Sequence, residues 1–514
     1  MTTQSAEATK DFCGHPSGLK TLFLTEMWER MSYYGMRMLL VLFMTATLQE
    51  GGLGLTVASA AAIYGLYTAC VYFMGLPGGW IADRLIGGQK AVWYGAIIIM
   101  IGHIILAIPS DETFFIGLIV VVLGTGLLKP NISAMVGQLY SDKDVRRDSG
   151  YALYYMGINI GAVIGYGVCG YLMENQGWHW AFGAAAVGMA IGLIQYKVTT
   201  PNLNGIGAKP VYPLSKKAQK LSWTIISGFL AVVVVTTYMI FQGAITIKPV
   251  TVAQYVAVAF SAIFVIYYAI IYFFSALSRV EKKKLLALLV ICVASACFWS
   301  GFEQAGSSMN LFARDYTDRF VGSFEVPTGW FQSLNSFFII LLSPFFAALW
   351  INLGKKLVSP SYGIKCAVGL IIMGSGFIIM FFAAQHAAAG LKVAPYWLVA
   401  TYFLHTVGEL CLSPVALSAV SKLSPKRFAG QMMGIFVLTY SIGNIISGLL
   451  AGNYDPNNVS QIPALYIQIS LFTIGIGLIV LLVGFKSRFW ENLSEDKNED
   501  EKSEENVTLA NNNA

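Results

Sequence analysis

The chain has 514 residues, of which 56% are hydrophobic and only 12% are charged. Soluble domains carry about 25% charged residues, so the composition excludes a soluble enzyme or binding module and predicts a polytopic membrane protein. The net charge of +6 is spread over short loops between apolar segments, which gives no indication of a nucleic-acid-binding patch.

Fourteen apolar segments are each long enough to cross a bilayer core as an α-helix, which takes about 20 residues. A closed barrel would instead need segments of about ten residues that alternate between apolar and polar. The predicted helices cover residues 21–48, 56–82, 91–109, 113–138, 150–173, 179–198, 221–247, 251–278, 285–310, 328–352, 363–384, 395–420, 429–452 and 462–486. The expected fold class is therefore an all-α polytopic membrane protein.

The distribution of positive charge predicts the orientation. Of the 33 Lys and Arg residues, 26 fall at the termini or in connections on the same side, and three lie within apolar segments. The other side holds Lys248, Arg314, Arg319 and Lys392. Because cytoplasmic loops are enriched in Lys and Arg, both termini are expected in the cytoplasm. The first apolar segment has no small-residue cleavage site and is expected to remain as the first helix.

The order of the segments predicts five regions. A cytoplasmic N-terminal segment (residues 1–20) precedes a six-helix bundle (21–198). A linker with a two-helix hairpin (199–284) separates it from a second six-helix bundle (285–486), and an acidic tail (487–514) ends the chain. Six plus six helices resemble the major facilitator superfamily, whose halves rock about a central site. The two remaining helices are interpreted as a structural insertion.

Seven charged residues lie in the interior of the apolar segments, away from their ends: Glu26, Glu29, Arg30, Arg37, Lys129, Glu303 and Glu409. Each costs roughly 2.5–3.5 kcal/mol at the centre of a spanning helix, so they are expected to face one another, water or a cargo. On the first helix, the charged residues and Tyr33 and Tyr34 fall within an arc of about 140°. That polar stripe is expected to face the interior of the bundle.

The remaining ions predict pairing between the two halves. Lys129 comes directly before Pro130, which bends a helix and exposes carbonyl groups. Bases from the first half would meet Glu303 and Glu409 from the second. Four acids and three bases leave a net charge of −1, which one proton would neutralise and a zwitterionic cargo would leave unchanged. His405, one turn before Glu409, is interpreted as a structural group, with a proton relay as the alternative.

The run Glu26-Met-Trp-Glu29-Arg30-Met-Ser-Tyr33-Tyr34-Gly35 resembles the ExxERFxYYG signature of proton-dependent oligopeptide transporters. Further motifs that resemble this family follow in order along nearly the whole chain. They are Gly78-Gly79-Trp-Ile-Ala-Asp83, Gly124-Thr-Gly-Leu-Leu-Lys129-Pro-Asn131, Phe298-Trp299 with Glu303-Gln304, Phe331-Gln-Ser-Leu-Asn335, and Gly408-Glu409-Leu-Cys-Leu-Ser413-Pro414. Several matches in the same order make this a stronger signal than any single motif.

The resemblance implies roles for individual residues. Proton coupling is implied for Glu26, Glu29, Arg30, Arg37 and Glu303, and gating salt bridges for Arg37–Glu303 and Lys129–Glu409. The peptide carboxylate would bind at Arg30, Tyr34 and Lys129, and the amino end at Asn159, Asn335 and Glu409. Tyr72 and Trp299 match pocket aromatics, and Ser413 completes the substrate-binding set. These residue types suit the two ends of a peptide. A guanidinium group pairs with the peptide carboxylate, and a carboxylate together with two amide oxygens accepts hydrogen bonds from the peptide ammonium.

The resemblance implies a proton-coupled symporter that imports di- and tripeptides by alternating access across a bacterial inner membrane, in contact with lipid. It implies no enzymatic activity, no metal and no cofactor, with the proton as coupling ion. A carrier of nitrate or another small solute is the nearest alternative, although nitrate gains nothing from Glu409. A membrane enzyme is disfavoured because no metal-ligand cluster or His/Asp/Ser set is visible, and an ATP-driven pump because no GxxxxGK[ST] run occurs. Oligomeric state, side-chain preference and proton stoichiometry stay open.

Overall fold

A computed structural model describes residues 10–141, 144–354 and 360–491 of the chain. Within these residues, 13 helical spans are long and apolar enough to cross a membrane. The first helix has 29 residues and is as long as these spans, but it contains four of the seven charged residues predicted within the membrane. It makes a fourteenth span. The predicted acidic tail lies outside the described residues from 492 onward, as do residues 1–9 of the predicted N-terminal segment.

In chain order, the helices form two six-span blocks separated by a hairpin. The first block comprises α1 (Ser17–Thr45), α2 (Val57–Phe73), α3 (Gly75–Ile81), α4 (Gly88–Leu106), α5 (Asp111–Gln138), α6 (Arg147–Gln176) and α7 (Trp178–Thr199). The hairpin comprises α8 (Lys216–Phe241) and α9 (Pro249–Ala269). The second block comprises α10 (Arg279–Phe302), α11 (Ser308–Asp315), α12 (Trp330–Gly354), α13 (Tyr362–Ala388), α14 (Tyr396–Leu423), α15 (Ala429–Ala451) and α16 (Ile462–Glu491).

Strand structure in the described residues is confined to two short antiparallel pairs. One pair, β1 (Lys10–Phe12) and β2 (His15–Pro16), precedes α1. The other, β3 (Phe320–Val321) and β4 (Phe324–Glu325), connects α11 to α12. The first pair packs against the helices, with the Phe12 ring 5.4 Å from that of Phe23 on α1. The second pair is exposed.

Two spans that the sequence predicts as continuous helices are interrupted. Residues 56–82 divide into α2 and α3, followed by a π-helical turn at Ala82–Ile86. Residues 285–310 divide at a 3₁₀ turn, Glu303–Gly306, which separates α10 from α11. This second interruption lies at one of the predicted ions, so Glu303 sits where the helix changes its winding.

Glycines allow close contact within and between the blocks. A Cβ at Gly161 on α6 would lie 2.2 Å from the carbonyl oxygen of Met27 on α1. A Cβ at Gly448 on α15 would lie 2.4 Å from the carbonyl oxygen of Ala61 on α2. Small residues permit such helix contacts in membranes. The α2–α15 contact brings the first block against the second.

The two blocks are joined by polar contacts on one side of the membrane. Fourteen crossings place the start of α1 and the end of α16 at one face, here called the terminal face; the opposite one is the far face. The joining contacts lie toward the far face: Asn310 donates to the Met38 carbonyl (2.9 Å), Arg314 to the Thr45 hydroxyl (3.1 Å), the Trp330 indole to the Gly167 carbonyl (3.1 Å), and Arg319 to Glu174 (2.9 Å). The bundle is therefore closed at its far face.

The hairpin lies at the edge of this assembly. Its second helix, α9, packs against α2 and α15. Its first helix, α8, has no buried residue, and exposes side chains such as Val234 and Tyr238. An apolar helix exposed all round suits contact with lipid. The structural role predicted for the hairpin is not tested by this arrangement.

Candidate functional site: a charged cavity between the two blocks

A cavity of about 270 Å³ lies between the two blocks. Twelve of the predicted site residues line it: Glu26, Arg30, Tyr34, Arg37, Tyr72, Lys129, Asn159, Trp299, Glu303, Asn335, Glu409 and Ser413. They come from α1, α2, α5 and α6 in the first block and from α10, the following 3₁₀ turn, α12 and α14 in the second. Residues far apart in sequence thus share one void.

Arg30 is the central cation of the first block. Its side chain is 2% exposed, its Nε lies 3.2 Å from a carboxylate oxygen of Glu26, and the same Nε donates to Glu29. The guanidinium carbon lies 4.7 Å from the centre of the Tyr33 ring and 5.8 Å from that of Tyr34. Its Nη2 atom has no hydrogen-bond partner among the described residues. That nitrogen is therefore an unsatisfied hydrogen-bond donor of a residue that lines the cavity.

Lys129 is the second cation of this wall. Its ammonium lies 4.1 Å from the centre of the Tyr72 ring, within the range of a cation–π interaction. Pro130 follows it within α5. The ring of Tyr72 also packs edge-on against Tyr440 of the second block, at 5.5 Å between centres. Lys129 and Glu409 line the same cavity, but within the described part of the chain they form no ion pair in this conformation.

Arg37 and Glu303 join the blocks at the closed end of the cavity. The Nη1 of Arg37 lies 3.2 Å from each carboxylate oxygen of Glu303. The hydroxyl of Tyr64 donates a further hydrogen bond to this carboxylate, at 3.0 Å. The three side chains are almost completely buried. An ion pair with this burial is screened little by solvent, so removing either partner leaves an uncompensated buried charge.

Glu409 is the anion of the second block that faces the open part of the cavity. The amide of Asn335 donates to its carboxylate at 2.9 Å and to the hydroxyl of Thr406 at 3.1 Å. Across the cavity, the amide of Asn159 donates to the Tyr155 carbonyl at 3.0 Å. One anionic group flanked by amides thus faces two cations held by the other block.

Glu29 differs from the other predicted ions. It is fully buried and hydrogen-bonded to Arg30, but it does not line the cavity. The polar stripe predicted on α1 is therefore divided: Glu26, Arg30 and Arg37 face the cavity, whereas Glu29 packs behind it. Glu29 directly precedes Arg30, and one residue rotates the side chain by about 100° around the helix axis, which is enough to change the face.

The sequence misses several cavity residues, most of them aromatic or amide side chains: Tyr155, Tyr166, Phe302, Gln332, Ser336, Tyr402 and Tyr440. The spacing of Tyr155, four residues before Asn159, is a signal that could have found it. The others carry no charge and no pattern that distinguishes them from packing residues. His405 also lines the cavity, with its ring 4.6 Å from that of Phe377 and its Nε2 without a partner in the described chain. Its role stays a prediction.

Two blocks of six spans, closed around buried ions of both signs, define a membrane carrier of the major facilitator type. Comparison with known proteins agrees with this class. The model of the POT family matches residues 89–465, and this chain belongs to that family. Its members are transporters and not enzymes, so the predicted family, fold class and absence of an enzymatic role are confirmed.

Three similar proteins illustrate the match. The chain is 41% identical to the peptide transporter YePEPT of Yersinia enterocolitica, over 94% of this chain and 96% of the relative. It is 34% identical to a di-/tripeptide transporter of Lactococcus lactis subsp. cremoris, over 85% of this chain and 89% of the relative. A crystal structure of a POT family transporter in complex with 5-aminolevulinic acid superposes with a TM-score of 0.86 at 33% identity, covering 93% and 98% of the two chains.

Proposed function

We propose that this protein is a proton-coupled symporter that imports di- and tripeptides. The observation that carries the proposal is the cavity itself, in which Arg30 and Lys129 of the first block face Glu409 and Asn335 of the second. A small molecule with a carboxylate at one end and an ammonium at the other matches this division of charge. Two of the relatives are named as peptide and di-/tripeptide transporters, which supports the same cargo.

In the proposed binding mode, the peptide carboxylate pairs with Arg30 and Lys129 and accepts from the Tyr34 hydroxyl. The unpartnered Nη2 of Arg30 supports this assignment, because a guanidinium binds a carboxylate through two parallel N–H groups. The ammonium is held by Glu409 with the amide oxygens of Asn159 and Asn335. Aromatic rings at Tyr72, Trp299 and Tyr440 form the walls against which side chains pack.

Proton coupling is proposed from the charge of the buried set. Four carboxylates and three bases carry a net charge of −1, and one bound proton balances them. The acids are Glu26 and Glu29, which share Arg30; Glu303, which pairs with Arg37; and Glu409. Peptide transport is coupled to proton transport if binding of the peptide and binding of the proton both favour the same change in which ions are paired.

Alternating access is proposed to follow two salt bridges. The Arg37–Glu303 pair is formed in this conformation and closes the far face. The Lys129–Glu409 pair would form when the terminal face closes around the cargo, since the two residues come from α5 and α14 of opposite blocks. A ligand shifts such an equilibrium only by its different affinity for the two states. Peptide and proton supply that difference by competing for the same ions.

The orientation is also part of the proposal. The excess of Lys and Arg on the side of the termini supports a cytoplasmic terminal face. The closed far face would then be the outer face of a bacterial inner membrane, with lipid around the bundle. This conformation would be the one that releases peptide inward.

The proposal is tested by uptake of labelled Ala-Ala into liposomes that contain the purified protein. Uptake should rise when the far-face compartment is acidified and should be blocked by unlabelled dipeptides. Glycine and nitrate at the same concentration should compete weakly, because neither presents both charges at peptide spacing. Uptake at the same rate with and without the pH gradient would exclude proton coupling. Strong competition by nitrate would favour the small-anion alternative.

A further inference from the structure

Gln332 lies in the first turn of α12 and lines the central cavity. Its side chain is 3% exposed, and neither its Nε2 nor its Oε1 has a hydrogen-bond partner among the described residues. A buried amide without a partner is destabilising, and the large majority of buried polar atoms are paired in folded proteins. The amide therefore has an unsatisfied donor and an unsatisfied acceptor next to the cavity.

The backbone around Gln332 is held in place. Next to it, the indole of Trp330 donates to the Gly167 carbonyl of the other block at 3.1 Å. The Ser333 hydroxyl donates back to the Trp330 carbonyl at 2.6 Å. These contacts fix the start of α12 against α6. Gln332 is thus presented on a rigid turn rather than on a mobile loop.

Three amide side chains line the cavity, and in the described part of the chain only Gln332 has no hydrogen-bond partner. The Asn159 amide donates to the Tyr155 carbonyl at 3.0 Å, and the Asn335 amide donates to Glu409 at 2.9 Å. Both therefore use a donor within the protein. Gln332 keeps a donor and an acceptor side by side for a ligand.

We propose that Gln332 binds the first residue of the peptide cargo, with Nε2 donating to the carbonyl oxygen of the first peptide bond. This assignment rests on the proposed function, which puts the ammonium at Glu409 and Asn335. Gln332 precedes Asn335 by three residues, about 4.5 Å along the helix axis, so it lies beside the group that follows the ammonium. In an extended residue the nitrogen and carbonyl oxygen point to the same side. The acceptor Oε1 then faces the ammonium while Nε2 faces the carbonyl.

This contact gives the site a means of rejecting free amino acids. An amino acid carries the two charged ends but has no neutral carbonyl between them. A site built to hydrogen-bond a group discriminates against an analogue that lacks it, because the buried polar partner is left unpaired. Gln332 would therefore recognise the peptide bond, in addition to the charges at its ends.

The test compares Gln332→Leu with the parent, using Ala-Ala and its thioamide analogue, in which sulfur replaces the first carbonyl oxygen and accepts hydrogen bonds weakly. Affinities are measured by isothermal titration calorimetry on the purified protein, together with the Tm of the ligand-free form. We expect Gln332→Leu to weaken Ala-Ala binding about tenfold and binding of the thioamide much less. The Tm of the ligand-free variant should be equal or higher, because a partnerless buried amide has been removed.

Equal losses for both ligands, or none, would overturn the proposal. So would a lower Tm in the ligand-free variant, since it would show that the amide supports the helix. A second variant, Gln332→Glu, keeps the shape and the acceptor but replaces the amide donor, and it should also lose the preference for oxygen over sulfur. If the parent itself does not bind Ala-Ala, the proposed function fails together with this assignment. A parent that binds and a variant that behaves identically would refute this assignment alone.

Discussion

Replacing Glu303 with Gln tests how the far face is held closed. The carboxylate is 1% exposed and lies 3.2 Å from Arg37, which is 6% exposed. Removing the negative charge leaves the Arg37 guanidinium buried without its counter-ion, with Tyr64 as a neutral neighbour. Removing one partner of a buried pair costs about 3–5 kcal/mol. Because the pair joins the two blocks, its loss destabilises the conformation that is closed at the far face by this amount.

The expected magnitude is a change of roughly 10²–10⁴-fold in the equilibrium between the two conformations, at about 1.4 kcal/mol per tenfold. We expect Glu303→Gln to open the far face and to lower the Tm of the ligand-free protein. Spin labels at Leu48→Cys and Phe320→Cys would report the opening, since both positions are exposed on far-face connections of opposite blocks. The exposed Cys13 would be replaced by Ser to keep the labelling specific.

Glu325→Gln is the matched control for this experiment. Glu325 pairs with Arg319 at 2.5 Å on the same face, but its side chain is 46% exposed. Exposed pairs contribute less than about 1 kcal/mol, so the label distance should stay that of the parent. The reasoning is refuted if Glu303→Gln and Glu325→Gln give the same distance distribution and the same Tm.

Three further predictions concern other parts of the molecule. Lys129→Gln should weaken Ala-Ala binding by roughly 10–100-fold in calorimetry, because a charge-assisted contact to the carboxylate is lost; unchanged affinity would place the carboxylate elsewhere. Gly448→Ala puts a Cβ 2.4 Å from a backbone oxygen of α2 and should lower the Tm, at a cost of about 1–3 kcal/mol. Gly475→Ala, with nothing within 4 Å, should not lower the Tm. Hydrogen bonds from Arg146 lower the pKa of Asp144 to about 2, so its stabilising contribution is present above the unfolded value of roughly 4 and fades as the pH falls through 2. Asp144→Asn should therefore have a lower Tm than the parent at pH 6 and the same Tm at pH 2.

The positions of the helices were largely predictable from the sequence, because lipid imposes a simple rule on each segment. Backbone groups in the bilayer must be satisfied within a helix, so apolar length alone indicates a span. The interruptions were not predictable in this way. The 3₁₀ turn at Glu303 and the division of α2 from α3 depend on which helices they pack against, as shown by Gly78, whose Cβ would overlap the Gly126 carbonyl at 1.9 Å.

The charged members of the site were visible in the sequence for a similar reason. An ion within an apolar segment is costly, so each of the seven is conspicuous and calls for a partner or a cavity. Uncharged members of the site, such as Tyr166, Tyr402 and Gln332, have no comparable desolvation cost, so they do not stand out in the sequence. Their membership follows only from the packing of α6, α12 and α14 around one void.

The sequence by itself determined the number of spans, the division into two blocks and a hairpin, and the set of buried ions, since each depends on the local exchange of water for lipid. Only the tertiary structure decided which ions meet. It placed Arg37 against Glu303, set Lys129 over the Tyr72 ring, gave Glu409 the amide of Asn335, and turned Glu29 away from the cavity. Those choices depend on how two blocks rest against each other, and a carrier that moves between conformations has more than one such arrangement for the same residues.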